Sequence, residues 1–186
     1  MTDGKQTARL LHEDASIAVA TNDIVMGLHW DPQQESVRVD SEPANLDAVC
    51  LLLDAAQRPL ELIHPGRPSN TNGSVMHTGD SRDGAGKWDD ERVFAFLEAL
   101  PESVHALTFG VVSMNGRAFC DISGATCHVS DQKTEGALLE VELTALGRLT
   151  HYCVATLQRS PEGWMVGRCA PGAANLAELL SSTQSR

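Results

Sequence analysis

Aromatic side chains are scarce in this sequence: four Phe, three Trp and one Tyr make up 4% of 186 residues. Val, Leu, Ile and Ala must therefore do most of the packing, and the three Trp (Trp30, Trp88, Trp164) are expected in the core. No apolar run reaches the ~20 residues a membrane-spanning helix needs. The N-terminus, "MTDGKQTARLLHEDASIAVA", lacks a basic start followed by an unbroken apolar stretch, so no secretory leader is expected. The five cysteines (Cys50, Cys120, Cys127, Cys153, Cys169) contain no C-x-x-C pair, which removes the usual zinc spacing. Their odd number and the missing leader point to a cytoplasmic protein with reduced, mostly buried thiols. Basic residues are few as well: 14 Lys and Arg against 25 Asp and Glu leave a net charge of −11. With no basic patch to neutralise phosphates, the acidic balance disfavours nucleic acid and anionic membranes, and neither nucleic acid nor a membrane span is expected. Neither a G-x-S-x-G elbow nor a G-x-x-x-x-G-K-[ST] loop occurs, and no enzymatic activity is expected.

What is present is a series of short apolar runs separated by turn formers. Residues 1–22 read as a loose arm or an edge strand, followed by one domain over 23–186. "DIVMGLHWD" is a strand ended by Asp-Pro. "LDAVCLLLD" is too short for a long helix, "LELIH" is a further strand, and a short strand fits around Val37–Val39. "ALTFGVVSM" is β-branched, apolar and ended by Asn-Gly. "DISGATCHVSD" alternates, with Ile122, Gly124, Thr126 and His128 on one side. "GALLEVELTAL" points Leu139, Val141 and Leu143 inward. Residues 151–169 form a hairpin around Ser-Pro-Glu-Gly. "AANLAELLSS" (173–182) reads as a short amphipathic helix. The sum is an all-β sandwich or barrel with a short C-terminal helix. One segment is ambiguous. "DDERVFAFLEALPES" places Val93, Phe96, Leu97 and Leu100 at helical spacing, but also fits a strand over Arg92–Phe96 followed by a helical turn.

The densest chemistry lies in "HTGDSRDGAGKWDDER", His77 to Arg92. Asp80, Asp83, Asp89, Asp90 and Glu91 offer carboxylates, and Gly84 and Gly86 offer backbone carbonyls of the kind calcium takes. Arg82, Lys87 and Arg92 cut the loop charge to −2, five minus three. The loop is no EF-hand. Counting Asp80 as position 1 puts Glu91 at position 12 as required, but Arg82 at 3, Gly84 at 5 and Ala85 where glycine is needed. Spacing alone leaves open a cation loop or a solvated Asp/Gly turn. His29, His128 and His151 sit in apolar runs and read as satisfied core or rim residues.

Several stretches together resemble the TerD family of tellurium-resistance and bacterial stress-response proteins. "VMGLHWD" resembles its G-L-x-W-D strand, "NLDAVCLLLD" its D-L-D-A-S-x-F-L-L, and "GWMVGRCAPG" its E-W-x-F-x-A-x-G-x-G. "NGSVMHTGDSRDGAGKWDDE" resembles D-G-S-V-x-H-x-G-D-N-x-T-G-x-G-x-G-D-D-E, and "LPESVHALTFGV" also matches in order. The resemblance covers most of residues 24–180. It implies a β-sandwich of two mostly antiparallel sheets that binds calcium through acidic loops and has no catalysis. Its implied oxygen ligands are Asp47, Asp80, Ser81 (at the family's Asn), Asp89, Asp90 and Glu91, with the carbonyls of Gly84 and Gly86. It also makes 92–97 a strand.

The chain departs from the family pattern at the loop. Asn45 replaces the first Asp of D-L-D, Ser81 is a shorter ligand than Asn, and Lys87 and Trp88 replace small or acidic residues. Each change lowers ligand charge or count, which predicts one surviving calcium site or a weakened pair. The alternative is a metal-free interaction module that contacts other stress-response proteins through Lys87 and Trp88.

Overall fold

A computed structural model describes residues 15–33 and 42–169. Val37–Val39 and the helix expected over 173–182 lie outside those residues, as do residues 1–14. The described chain forms strands β1 (Ser16–Ala18), β2 (Asp23–His29), β3 (Leu46–Leu53), β4 (Pro59–Ile63), β5 (Val75–His77), β6 (Glu91–Phe96), β7 (Ala106–Ser113), β8 (Thr126–Asp131), β9 (Ala137–Glu142), β10 (His151–Ser160) and β11 (Gly163–Gly167). They make two antiparallel sheets. One has the order β1-β11-β10-β7-β3-β4 and the other β5-β6-β2-β8-β9. The two-sheet sandwich expected from the resemblance is present, and Ser16–Ala18 is an edge strand paired with β11. Among the described residues no helix is long and apolar enough to cross a membrane.

The core lies between the sheets and is built by alternation. Leu46, Ala48, Cys50 and Leu52 of β3 face Ile24, Met26 and Leu28 of β2 and Val93 and Ala95 of β6, with Trp30, Phe109 and Phe119 filling the largest volumes. So few aromatics suffice because these three are all fully buried. Trp164 is buried too, but Trp88 is 79% exposed. That overturns the expectation that all three tryptophans pack inside; the glycine-rich loop carries Trp88 out past the edge of the core.

The ambiguous segment resolves into a strand followed by a 3-10 turn, Leu97–Ala99. β6 is hydrogen-bonded on both flanks, to β5 and β2. Val93 and Ala95 point inward while Phe94 and Phe96 are half-buried, so a period of two wins over the helical reading. The alternation read in 121–131 holds in part: Thr126 and His128 share a side, while Ile122 is buried ahead of the strand. The strand begins at Thr126, and Cys127 and Val129 are the buried side chains, with Thr126 and His128 outward.

The thiols divide differently from the expected reduced set. Cys50 and Cys127 are buried, Cys120 is exposed, and Cys153 and Cys169 are joined in a disulfide. The hairpin places those two Cα atoms 5.8 Å apart, within ordinary disulfide reach.

Phe109 sits at the centre of β7, fully buried between the sheets. Phe109→Ala is expected to cost ~3–5 kcal/mol of unfolding free energy, read as a lower denaturation midpoint. A loss under about 1 kcal/mol would contradict the core placement.

Candidate metal centre

β4 pairs with β3 only from Cys50 onward. The first half of β3 therefore has a flank without a strand partner on that side, and a side chain from the other sheet fills it. Glu91, the first residue of β6, is completely buried. Its Oε2 accepts the Ala48 backbone N–H at 2.8 Å, and its Oε1 accepts the Ser81 N–H at 3.1 Å. His77 approaches the same Oε2 at 3.2 Å through Nε2. The Gly79 N–H donates to His77 Nδ1 at 3.0 Å, so the imidazole proton sits on Nε2 and is given to Glu91. One carboxylate thus ties β3, β5 and the start of the acidic loop together.

Two more carboxylates crowd this one. Asp47, Asp80 and Glu91 each offer an oxygen within 4.8 Å of the others. Asp47 is buried, and its carboxyl is pushed up to about 7, first by burial and then by the negative charges of Glu91 and Asp80. Asp80 is more open and forms an ion pair with the exposed Arg82 at 3.0 Å. The Asn45 carbonyl continues the ladder beside β3 by accepting the Met114 N–H, which puts Asn45 on the same face as Asp47, two residues on. The side-chain Oδ1 of Asn45 is buried without a hydrogen-bond partner. Such an atom calls for a donor or a cation.

The three consecutive acids at the end of the loop separate. Glu91 faces inward as described. The Asp90 side chain is buried and accepts the Trp30 N–H (3.0 Å) and the Gly86 N–H (2.8 Å), and it lies 2.9 Å from His29 Nδ1, which also reaches the Trp88 carbonyl at 2.9 Å. It also lines a small cleft with Thr78, Asp80, Ser81 and Asp83. Asp89 turns to the outer face, where His128 (3.1 Å) and Arg92 (2.7 Å) hold it. Burial pushes its carboxyl up, but those two partners outweigh burial and leave it below the usual carboxylate range. Gly27 of β2 lies between Arg92 and His128 in register. A Cβ there would run into the His128 ring and the Asp89 carboxylate, so the glycine makes room for the pair.

The structure therefore brings Asp47, Asp80 and Glu91 together, with Ser81 and Asp90 lining a cleft with Asp80. Asp89 is elsewhere. Gly84 (φ +67°) packs against the Trp30 ring and Gly86 against the Asp90 carboxylate. Lys87 lies with Trp88 on the Asp89 side, not in the Asp80 cleft. His77 was missed as a supporting residue, although it stands in the H-x-G-D stretch of the motif; His29 and His128 are rim residues, as expected, but each holds one aspartate.

The donors are hard oxygens. Both nitrogens of the adjacent His77 are already hydrogen-bonded, and among the described residues no sulfur joins the cluster. The set suits calcium rather than zinc.

A TerD domain family model matches residues 9–182. Tellurium resistance protein TerZ of Serratia marcescens is 32% identical over 164 residues, covering 86% of this chain and 82% of that protein. General stress protein 16U of Bacillus subtilis (strain 168) is 32% identical over 127 residues, 64% of either chain. A solved structure, a homologue of telluride resistance protein (TerD) from Streptomyces coelicolor A3(2), aligns with a TM-score of 0.70 at 21% identity, over 82% of this chain and 94% of that one. That likeness establishes the shared fold.

The raised Asp47 carboxyl has a consequence for stability. Its pKa is near 3.8 when unfolded and about 7 when folded, so the fold prefers the protonated form. The stability this confers is complete below about pH 4 and is lost as pH rises through 7. Metal-free protein is therefore expected to melt lower at pH 8 than at pH 5. Asp47→Asn should flatten that slope and raise Tm at pH 8. Melting curves in a chelating buffer check both, and a lower Tm for the variant at pH 8 would contradict the crowding of charge.

Proposed function

Because the chain belongs to the TerD family, we propose that it is a cytoplasmic, non-catalytic calcium-binding protein of the stress-response, tellurium-resistance type. The observation that carries this reading is the set of Asp47, Asp80 and Glu91, with Asp47 and Glu91 buried and Asp80 at the open side, whose oxygens converge at a place where Asp47 cannot comfortably ionise alone. A divalent cation would relieve that repulsion. Asp47, Asp80 and Glu91 would hold it, with Ser81 beside Glu91 and Asp90 on the Asp80 cleft. Calcium supplies charge neutralisation there, and the protein's part is to fix the carboxylates and exclude water.

Two features of the site work against the ion. Arg82 must release Asp80, and Asp47 must lose its proton near neutral pH. The first cost is small, because an exposed pair contributes little. The second makes binding pH-dependent, with affinity falling about tenfold per pH unit below 7.

Calcium binding to the folded state alone stabilises it by ~2.7 kcal/mol at a hundredfold excess over Kd. Calcium is expected to raise Tm, more at pH 7.5 than at pH 6, and Asp80→Ala should abolish the rise. Isothermal titration with no heat up to millimolar calcium would sink the reading.

The exposed Trp88 favours a second reading, a metal-free module that contacts protein through Lys87 and Trp88. The two are separable, since these residues lie away from the Asp80 cleft. Trp88→Ala should leave the calcium response intact. If it removes that response, the loop's two sides are one site and the assignment above fails.

A further inference from the structure

We propose that Cys153 and Cys169 form a reversible dithiol–disulfide site, oxidised by low-molecular-weight disulfides, that clasps the exit of β11 to β10. The pairing depends on a β-bulge. β10 pairs with β7 through Cys153↔Gly110 and Ala155↔Phe109, leaving Val154 as the extra residue. Val154, Ala155 and Leu157 all enter the core as a result. Simple alternation from Leu157 would turn Cys153 inward, but the bulge turns it to the outer face with Thr156. On that face Thr156 Oγ1 lies 3.4 Å from Cys169 Sγ. The ladder between β10 and β11 ends at Thr156↔Gly167, so the sulfur bridge lies beyond its last paired residues and continues the clasp without backbone pairing.

The five cysteines fall into distinct reactivity groups. Burial pushes the Cys50 and Cys127 thiols well above their ordinary range, which keeps them uncharged and unreactive. Cys120 is exposed on the 3-10 turn Phe119–Asp121 and free of a disulfide partner. Cys153 and Cys169 are half-buried and adjacent. A recess of about 500 Å³, lined among others by Ser16, Thr156, Gln158, Met165 and Arg168, lies beside the bridge: its wall residue Thr156 is the one whose Oγ1 stands 3.4 Å from Cys169 Sγ.

The chemistry balances as two exchanges. A thiolate of the pair attacks one sulfur of R–S–S–R, breaking that bond and releasing one RS⁻. The second protein thiolate then attacks the mixed disulfide and releases the other RS⁻. Two protein thiols are oxidised, one small disulfide is reduced to two thiols, and the protons pass to the departing thiolates. In a reducing compartment such a bond is transient, so it is compatible with the expectation of reduced thiols.

The test is to equilibrate the full chain in mixtures of reduced and oxidised glutathione, alkylate the free thiols and map the peptides. The expected result is a Cys153–Cys169 cross-link that appears as the mixture is made more oxidising and disappears as it is made more reducing. Cys120 should stay alkylatable or carry glutathione, and Cys50 and Cys127 should react only after unfolding. Cys153→Ser and Cys169→Ser should each stop at a mixed disulfide on the remaining cysteine, and Cys120→Ser should leave the cross-link intact. The oxidised protein should melt several degrees above the reduced one, a difference that Cys153→Ser removes. No cross-link at any ratio, a cross-link that resists dithiothreitol in the folded protein, or one that requires Cys120 overturns the proposal.

Discussion

The buried carboxylate of Glu91 is the contact on which the rest of this site depends. It belongs to one sheet and accepts a backbone N–H from the other, on a flank of β3 that β4 leaves without a strand partner. The same side chain takes the Ser81 N–H and the His77 proton, so it also sets where the acidic loop begins. A buried carboxylate is tolerated only when it is hydrogen-bonded, and here three donors take three of its roughly four lone-pair sites and leave one open.

That arrangement creates the problem a cation solves. Glu91 is satisfied, and its charge is one of the terms that crowd Asp47 beside it. Asp80 adds a third carboxylate at the open side. Stability alone would favour an asparagine or an apolar residue at 47. The chain instead keeps a surplus of negative oxygen at a point where two sheets and a loop converge. Asp90, held by Trp30 and Gly86, fixes the far end of the loop against the core, so the loop is anchored at both ends of the acidic stretch.

The outer faces of the two sheets show a second use of local irregularity. Gly27 clears space for Asp89 to be held between Arg92 and His128 on one sheet. On the other, the extra residue Val154 turns Cys153 outward to meet Cys169. In both cases a departure from plain alternation decides which side chains can touch.

The sequence by itself determined the fold class, since the short alternating runs and their turns carry period-two information that needs no long-range contact. The hairpin at 151–169, the strand at 106–113 and the inward Leu139, Val141 and Leu143 were all legible in that way, and the family's motif located the acidic loop. Only the tertiary structure decided the rest. Val93, Phe96, Leu97 and Leu100 fit a helix until both flanks of β6 find partners. Asp89, Asp90 and Glu91 look equivalent in sequence, yet the bend that leads into β6 sends them three ways. Five scattered cysteines look alike until a bulge lets two of them meet, the sheets bury two others and a 3-10 turn exposes the fifth. The physical reason is common to all of these. A side chain's direction in a sheet depends on register and bulges set by strands distant in sequence, and charge crowding at Asp47 depends on residues thirty and more positions away.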